Sequence, residues 1–281
     1  MKVTLWGTRG SIPTPGPETE RYGGDTSCVQ VEGNDGTQLV LDAGTGIRRL
    51  GDAISRPVGR VDILLSHLHM DHIQGLGFFA PLYDPEVEVH IWGPASTTQG
   101  LSRRLTRYLA PPLFPVLLRD LPCDLHLHEV PCGEFEIGPF KIFAAMVCHP
   151  GPTVGYRIRE GDRTLVYLSD HEPALGMDRF ELSELDPEWV SGYDLAVEAD
   201  LLIHDTQYTQ EEYQERIGWG HSSAEQSLTF AQLARVKHLV AFHHDPARAD
   251  DALYRVVSDA AQATKLPFRV TAGAEGDVFE L

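Results

Sequence analysis

Nothing in this 281-residue chain offers paired thiols. Its four cysteines, Cys28, Cys123, Cys132 and Cys148, show no C-x-x-C spacing. Outside an oxidising compartment such cysteines are expected as buried thiols rather than disulfides, and Cys148, beside His149, reads as a small buried residue. Long apolar runs are missing too. No stretch of eighteen apolar residues is present, so no membrane-spanning helix is expected. The opening Met1-Lys2-Val3-Thr4-Leu5-Trp6-Gly7 reads as a short strand, without the apolar stretch or small-residue cleavage site of a secretory signal. A cytoplasmic protein is expected. Basic residues are scarce: Lys+Arg total 23 against 41 Asp+Glu, a formal net charge of -18. That balance disfavours long nucleic acid, whose binding rests on neutralising many phosphates. It leaves room for a small phosphorylated ligand held by a local Arg.

What the chain does have is concentrated in His67-Leu68-His69-Met70-Asp71-His72. The preceding Val61–Ser66 is apolar and reads as a buried strand, so the ligands leave a strand end and enter a loop. His67 and His69, two apart, can project to the same side. Asp71 and His72 follow a turn and reach a second point. Neutral imidazole and carboxylate suit zinc, manganese or iron. Adjacent Asp71 and His72 cannot share the ion of His67 and His69 without strain, so two neighbouring ions are expected. The alternative at this stage is a His-rich surface loop.

Hydrophobic residues make up 42% of the chain, enough for a sizeable core. Strands are predicted over Val3–Trp6, Cys28–Glu32, Gln38–Asp42, Val61–Ser66, Val87–Trp92, Leu125–Val130, Phe140–Cys148, Thr153–Arg159, Thr164–Ser169, Leu201–His204, His238–His243, Phe268–Thr271 and Asp277–Glu280. Helices are predicted over Thr97–Leu109, over Ser222–Leu233 with His221 or Ser222 as N-cap, and over Asp250–Ala263, and Ile73–Phe79 has the makings of first helical turns. Both halves run strands then helices, which suits two sheets face to face with helices outside. The expected fold is α/β, a four-layer αββα sandwich, in one domain spanning residues 1–281. His126 and His128 alternate with Leu125 and Leu127 and are expected to face solvent. Gly7–Pro13 and Arg21–Ser27 are rich in Gly, Ser and Thr, which permits close approach to a ligand or to another chain segment. Pro111–Val116 is stiff and apolar: a lid, a homodimer contact or core packing.

His67 to His72 resembles the signature of the metallo-β-lactamase-fold hydrolases. The resemblance implies three further ligands at strand ends, and His149, Asp170 and His243 stand in the right order. It implies one ion on His67, His69 and His149, a second on Asp71, His72 and His243, and Asp170 bridging. His244 is an alternative to His243, and His171 lies next to Asp170. Asp42, ending a strand, takes the family's bracing position. Trp219-Gly220-His221-Ser222-Ser223 resembles the Gly-His-Ser-Ser/Thr motif of ribonuclease Z and related phosphodiesterases, where this His assists the leaving group. Ile203-His204-Asp205-Thr206 resembles the same branch's His-Glu-Ala segment, with Asp205 in place of Glu. Gly7–Pro13 and Gly24–Ser27 also look like that branch, so the resemblance covers nearly the whole chain.

The implied function is a dinuclear phosphodiesterase acting on a small cyclic nucleotide or similar phosphodiester. Two divalent ions, zinc foremost, with manganese or iron as alternatives, share a bridging hydroxide nucleophile. His221, Asp205 and Asp71 form the catalytic set. The competing readings are a glyoxalase II-like thioester or lactone hydrolase, a tRNA 3′-processing endonuclease, and a metal-binding sensor without turnover.

Overall fold

A computed structural model describes residues 1–54, 58–177, 179–262 and 266–281. Fourteen strands are found among the described residues. They are β1 (Lys2–Gly7), β2 (Cys28–Glu32), β3 (Gln38–Leu41), β4 (Arg60–Leu64), β5 (Glu88–Pro94), β6 (Asp124–Val130) and β7 (Gly133–Ile137). After these come β8 (Phe140–Met146), β9 (Val154–Glu160), β10 (Arg163–Leu168), β11 (Leu201–Asp205), β12 (His238–Phe242), β13 (Arg269–Ala272) and β14 (Val278–Glu280). One sheet runs β14-β1-β2-β3-β4-β5-β6 and the other β13-β12-β11-β10-β9-β8-β7. In each, an antiparallel part leads into a parallel part: β3 to β6 are parallel, and so are β10 to β13.

Parallel strands covered on both faces read as near-continuous apolar runs. Every residue of β11, Leu-Leu-Ile-His-Asp, is buried, and so are the last four of β12. Between the sheets, Leu5, Val31, Leu41 and Leu64 meet Ile142, Tyr156, Leu165, Ile203 and Phe242. On the outer face of the first sheet, Ile47, Leu50, Ile73 and Leu76 cover Val40, Ile63 and Val89. On the outer face of the second, Leu228, Phe230 and Ala231 of the helix Ala224–Leu233 cover Val166, Leu202 and Leu239. The layers are αββα, as expected. Loops after β3, β4, β8, β10, β11 and β12 gather at one end of the sandwich, where ligands of parallel sheets ordinarily bind. Among the described residues no helix is long and apolar enough to cross a membrane.

Several local expectations are corrected. The helix expected over Thr97–Leu109 is one short segment, Leu101–Leu105. Extended Gly100 starts it, and the backbone must leave the helical region before Pro111. The helix expected from Ser222 begins at Ala224 with Ser223 as N-cap, because Ser223 and Gln226 close a capping box. His221 therefore lies in the loop before the helix. Ile73–Phe79 is a helical turn ending at Ile73 and a separate 3₁₀ turn, Leu76–Phe78. The end of the helix expected over Asp250–Ala263 lies outside the described residues; the helix is described over Asp250–Gln262. β7 was not expected: it is a sheet edge whose exposed Glu134 and Glu136 hide the apolar alternation. Cys132 is exposed and Cys148 only half-buried, against the expectation of four buried thiols, while all four remain free. His126 and His128 are half-buried and stacked rather than solvent-facing. Of Pro111–Val116, Phe114 is core, packed edge-on to Phe78, and Leu113 stays 69% exposed.

Phe140 of β8 is fully buried between the sheets and far along the chain from every candidate ligand but His149. Phe140→Ala leaves a cavity there, and urea unfolding of the metal-free protein should show a loss of about 3–5 kcal/mol. A loss under about 1 kcal/mol would mean that this layer is loosely packed.

Candidate metal centre

The site is built outward from a buried carboxylate. Asp42 follows β3 with φ 60°, a left-handed conformation that Asp tolerates better than most residues. Its Oδ1 accepts from the Ser66 backbone N–H at 2.7 Å. Its Oδ2 accepts from Ser66 Oγ at 2.8 Å, His72 Nδ1 at 2.7 Å and Tyr167 Oη at 2.8 Å. The loop after β4 is thereby tied to β3, and both are tied to β10 of the opposite sheet. Tyr156 Oη adds a second bond across the sheets, donated to the Leu65 carbonyl at 2.7 Å.

On this base the seven expected ligands converge into two groups, His67–His69–His149 and Asp71–His72–Asp170–His243, the ligand atoms of each lying within 4.8 Å of one another. Asp170 faces both. Its Oδ1 lies 3.0 Å from His72 Nε2 and 3.4 Å from His243 Nε2. Its Oδ2 lies 3.7 Å from His67 Nε2 and 3.8 Å from His149 Nε2. Asp71 Oδ2 sits 3.2 Å from His72 Nε2 and 3.1 Å from His243 Nε2. His149 Nε2 and His69 Nδ1 are 3.1 Å apart.

The outer nitrogens decide what the inner ones present. His72 Nδ1 donates to Asp42, His149 Nδ1 to the Gly220 carbonyl at 2.8 Å, and His243 Nδ1 to Gln207 Oε1 at 2.9 Å. None of these oxygens carries a proton to give. In the neutral rings, each Nε2 therefore aims a lone pair at the carboxylates. His67 Nε2, His72 Nε2 and Asp170 Oδ1 are out of solvent's reach with no hydrogen-bond partner. Buried lone pairs facing lone pairs are costly unless a cation sits among them. The imidazole–carboxylate donor set suits a divalent ion such as zinc. The pKa shifts follow the same crowding. Burial pushes His67 well down and His149 down to about 4. Burial also opposes charge on Asp71 and Asp170, yet the surrounding imidazoles, His72 and His243 prominent among them, hold both below the usual carboxylate range.

Residue by residue, the expected set is brought together. His243, at φ 56°, turns into the site, while His244 turns away and binds the Gly273 carbonyl at 2.8 Å. His171 is buried behind the site, its Nδ1 2.9 Å from His204 Nε2, and belongs to neither group. His221 Nδ1 lies 2.7 Å from Asp205 Oδ2, so the shorter carboxylate still reaches it. His221 and Asp205 can also be grouped with His243, and His221 with His149 and Asp170. The 2.7 Å bond to Asp205 is far shorter than the 3.9 Å from the same nitrogen to Asp170, and it commits Nδ1 to the carboxylate.

Several residues escaped the sequence reading. Gln207 orients His243, Tyr167 braces Asp42, and Glu172, fully buried, accepts from the Gly218 and Gly220 N–H groups and from Tyr213 Oη. Glu172 thereby shapes the loop that carries His221. The glycine-rich opening turns out to meet the chain itself. A Cβ on Gly10 would lie 2.4 Å from the His243 ring, and one on Gly220 2.3 Å from His149 Nδ1. Ser11 N–H donates to Asp71 Oδ2 at 2.7 Å.

Fold and site together define a metal-dependent hydrolase of the metallo-β-lactamase fold. A model of the beta-lactamase superfamily domain matches residues 37–244. The chain belongs to that superfamily. It is similar to Ribonuclease Z of Thermococcus kodakarensis, at 27% identity over 282 residues, 86% of this chain and 83% of that protein. Among solved structures it resembles the metallo-beta-lactamase fold protein YhfI from Bacillus subtilis, with a TM-score of 0.71 and 21% identity over 99% of both chains. It also resembles human tRNase Z, short form (ELAC1), with a TM-score of 0.69 and 23% identity over 100% of this chain and 99% of that one.

Because the two oxygens of Asp170 face different groups, its loss should empty both. Elemental analysis of reconstituted Asp170→Ala should find about two equivalents fewer than the unchanged protein, whereas His69→Ala should lose about one. Equal losses in the two variants would mean that Asp170 serves only one group.

Proposed function

We propose that the chain is a dinuclear phosphodiesterase acting on a small cyclic nucleotide or a similar phosphodiester. The observation that carries the reading is the His221–Asp205 pair. His221 stands outside the seven-ligand set yet against it, its ring centroid 5.0 Å from that of His243 and 5.1 Å from that of His149. His67, His69 and His149 would hold one ion, Asp71, His72 and His243 the other, with Asp170 shared. Zinc suits the donors best, with manganese or iron as alternatives. When bound, such ions polarise a phosphoryl oxygen and bring the pKa of a water toward neutral.

The rest of the chemistry belongs to the chain. Asp205 accepts from the Gln207 N–H at 2.9 Å and from His221 Nδ1, so the carboxylate is fixed and the imidazole is held in one tautomer. His221 Nε2 has no protein hydrogen-bond partner among the described residues and is available to substrate. Burial works against the imidazolium, but Asp205 first and Asp170 after it raise the His221 pKa to about 9. Held by Asp205 through Nδ1, the ring can carry a proton on Nε2 and give it to the departing oxygen, which a poor alkoxide leaving group requires. Asp71 joins this set as a carboxylate fixed by Ser11 beside the reaction centre. Hydrolysis of a thioester, whose thiolate departs without a proton, or a sensor without turnover gives this acid nothing to do.

A second reading is favoured by the name Ribonuclease Z on the relative from Thermococcus kodakarensis, which spans most of both chains. RNA is also a phosphodiester, so the two readings share their chemistry and differ in substrate length. The net charge of -18 weighs toward the short substrate. The single chain-long domain, a homodimer and a cytoplasmic location belong to the same proposal.

Metal-replete enzyme should cleave bis-(p-nitrophenyl) phosphate and a cyclic nucleotide faster than a thioester, a lactone or a precursor tRNA. Efficient thioester turnover without phosphodiester cleavage would overturn the reading, and faster cleavage of the tRNA would move it to the second. His221→Ala should keep its metals and lose roughly 10²–10⁴-fold on an alkyl-alcohol leaving group. Its loss on p-nitrophenolate, which departs without a proton, should be much smaller. Equal losses on both substrates, or a lost metal, would remove His221 from the acid's role.

A further inference from the structure

Far from the Asp170 centre, a second set of metal-binding side chains lies on β5 and β6. The two strands are parallel, with Glu88 opposite Asp124, His90 opposite His126 and Trp92 opposite His128. Alternate residues of a strand share a face, so Glu88, His90, His126 and His128 come together on one. Glu88 sits beside Arg60, at the start of β4, whereas His67 follows the other end of that strand. The set is therefore at the opposite end of the sandwich from the catalytic candidates.

We infer that Glu88, His90 and His126 form a further, non-catalytic site for a divalent transition-metal ion. Glu88 Oε1 lies 2.8 Å from His90 Nε2 and 3.7 Å from His126 Nε2, and all three donor atoms fall within 4.8 Å of one another. These separations fit donors about 2.0–2.2 Å from one shared ion. Asp124 Oδ1, 3.2 Å from His126 Nε2, adds negative charge at the rim. His126 Nε2 itself is shielded from solvent and has no hydrogen-bond partner. His90 is 7% exposed, and its outer nitrogen, Nδ1, lies 2.8 Å from His128 Nε2. When His90 donates from Nδ1, its Nε2 turns a lone pair to Glu88. This is the arrangement in which an outer-shell bond fixes a metal-bound histidine.

The surroundings hold the rings in register. His90 and His126 stack at 4.6 Å and 19°, His90 and His128 at 5.0 Å and 4°, and Trp92 and His128 at 4.0 Å and 19°. The nearby guanidinium is engaged elsewhere: Arg60 makes two 2.8 Å bonds to Asp62. Two imidazoles and one carboxylate suit zinc, nickel, cobalt or copper over calcium or magnesium. Three protein donors leave further positions to water. An ion here would tie the edge strand β6 to β5.

The test is metal stoichiometry after dialysis of the full chain against micromolar zinc. Asp170→Ala should retain about one equivalent, and Asp170→Ala/His126→Ala none. With the Asp170 centre intact, His126→Ala and the milder Glu88→Gln should each lose about one equivalent while phosphodiester hydrolysis is unchanged. Cobalt bound to Asp170→Ala should give visible absorption bands that vanish in the double variant. The inference is overturned if folded Asp170→Ala, verified by circular dichroism, binds no zinc, or if its zinc survives both the His126 and the Glu88 change. The first result leaves the reading of the Asp170 centre untouched; in the second, metal loss from His126→Ala with the Asp170 centre intact reports on the β5–β6 site separately from it.

Discussion

Much of the arrangement depends on one buried carboxylate. Asp42 is fully buried and accepts hydrogen bonds from Ser66, His72, Tyr167 and, at 3.4 Å, Ser169. A carboxylate in such a place is costly unless fully paired, and here the pairing is what joins the sheets at the site. Tyr167 reaches it from β10, Ser66 from the loop after β4, and His72 from the helical turn beyond. The last bond also fixes which nitrogen of His72 faces inward. A structural bond and a choice of tautomer are the same interaction.

The same logic repeats around the centre. Gly220 O, Gln207 Oε1 and Asp42 Oδ2 each accept a hydrogen bond from the outer nitrogen of a histidine. The inner faces are left rich in lone pairs and negative charge. The protein thus holds a charge distribution that favours a cation before any cation arrives, and a net charge of -18 is consistent with it. The loops that achieve this are packed tightly. Gly10 lets the first loop lie flat against His243, and Gly220, at φ +85°, lets the His221 loop lie against His149. The buried Arg9 pins that first loop through the carbonyls of Gly23 and Arg248 at 2.8 and 2.7 Å. These glycines serve close packing against protein.

The two histidine-rich regions show how pattern and place diverge. His126 and His128 alternate with leucines, and alternation alone assigns them to solvent. In the fold their side of β6 is half-covered, and β5 contributes His90 and Trp92 at matching register. Strand neighbours cannot be read from one strand's alternation. The same holds for β7, whose acidic exposed positions hide it, and for the helix near Leu101, where Leu101, Leu105 and Leu109 keep a four-residue spacing that the backbone follows only in part.

The ligands of the His67–His72 run were legible because they follow an apolar strand, whereas His149, Asp170 and His243 were found because the family resemblance asks for a ligand at the ends of their strands. The layer order was legible for a related reason: strands covered on both faces must be apolar throughout. What the sequence left open was settled by contacts between distant segments. His243 enters the site and His244 leaves it because a single left-handed residue, φ 56°, turns the chain after β12. Asp205 meets His221, sixteen residues away, only because β11 ends beside the loop that Glu172 shapes. Gln207, Tyr167 and Glu172 carry no local signal, since their roles consist of hydrogen bonds to groups that the tertiary fold brings near. Sequence fixes which residues can be ligands; only packing of the two sheets decides which nitrogen each one presents.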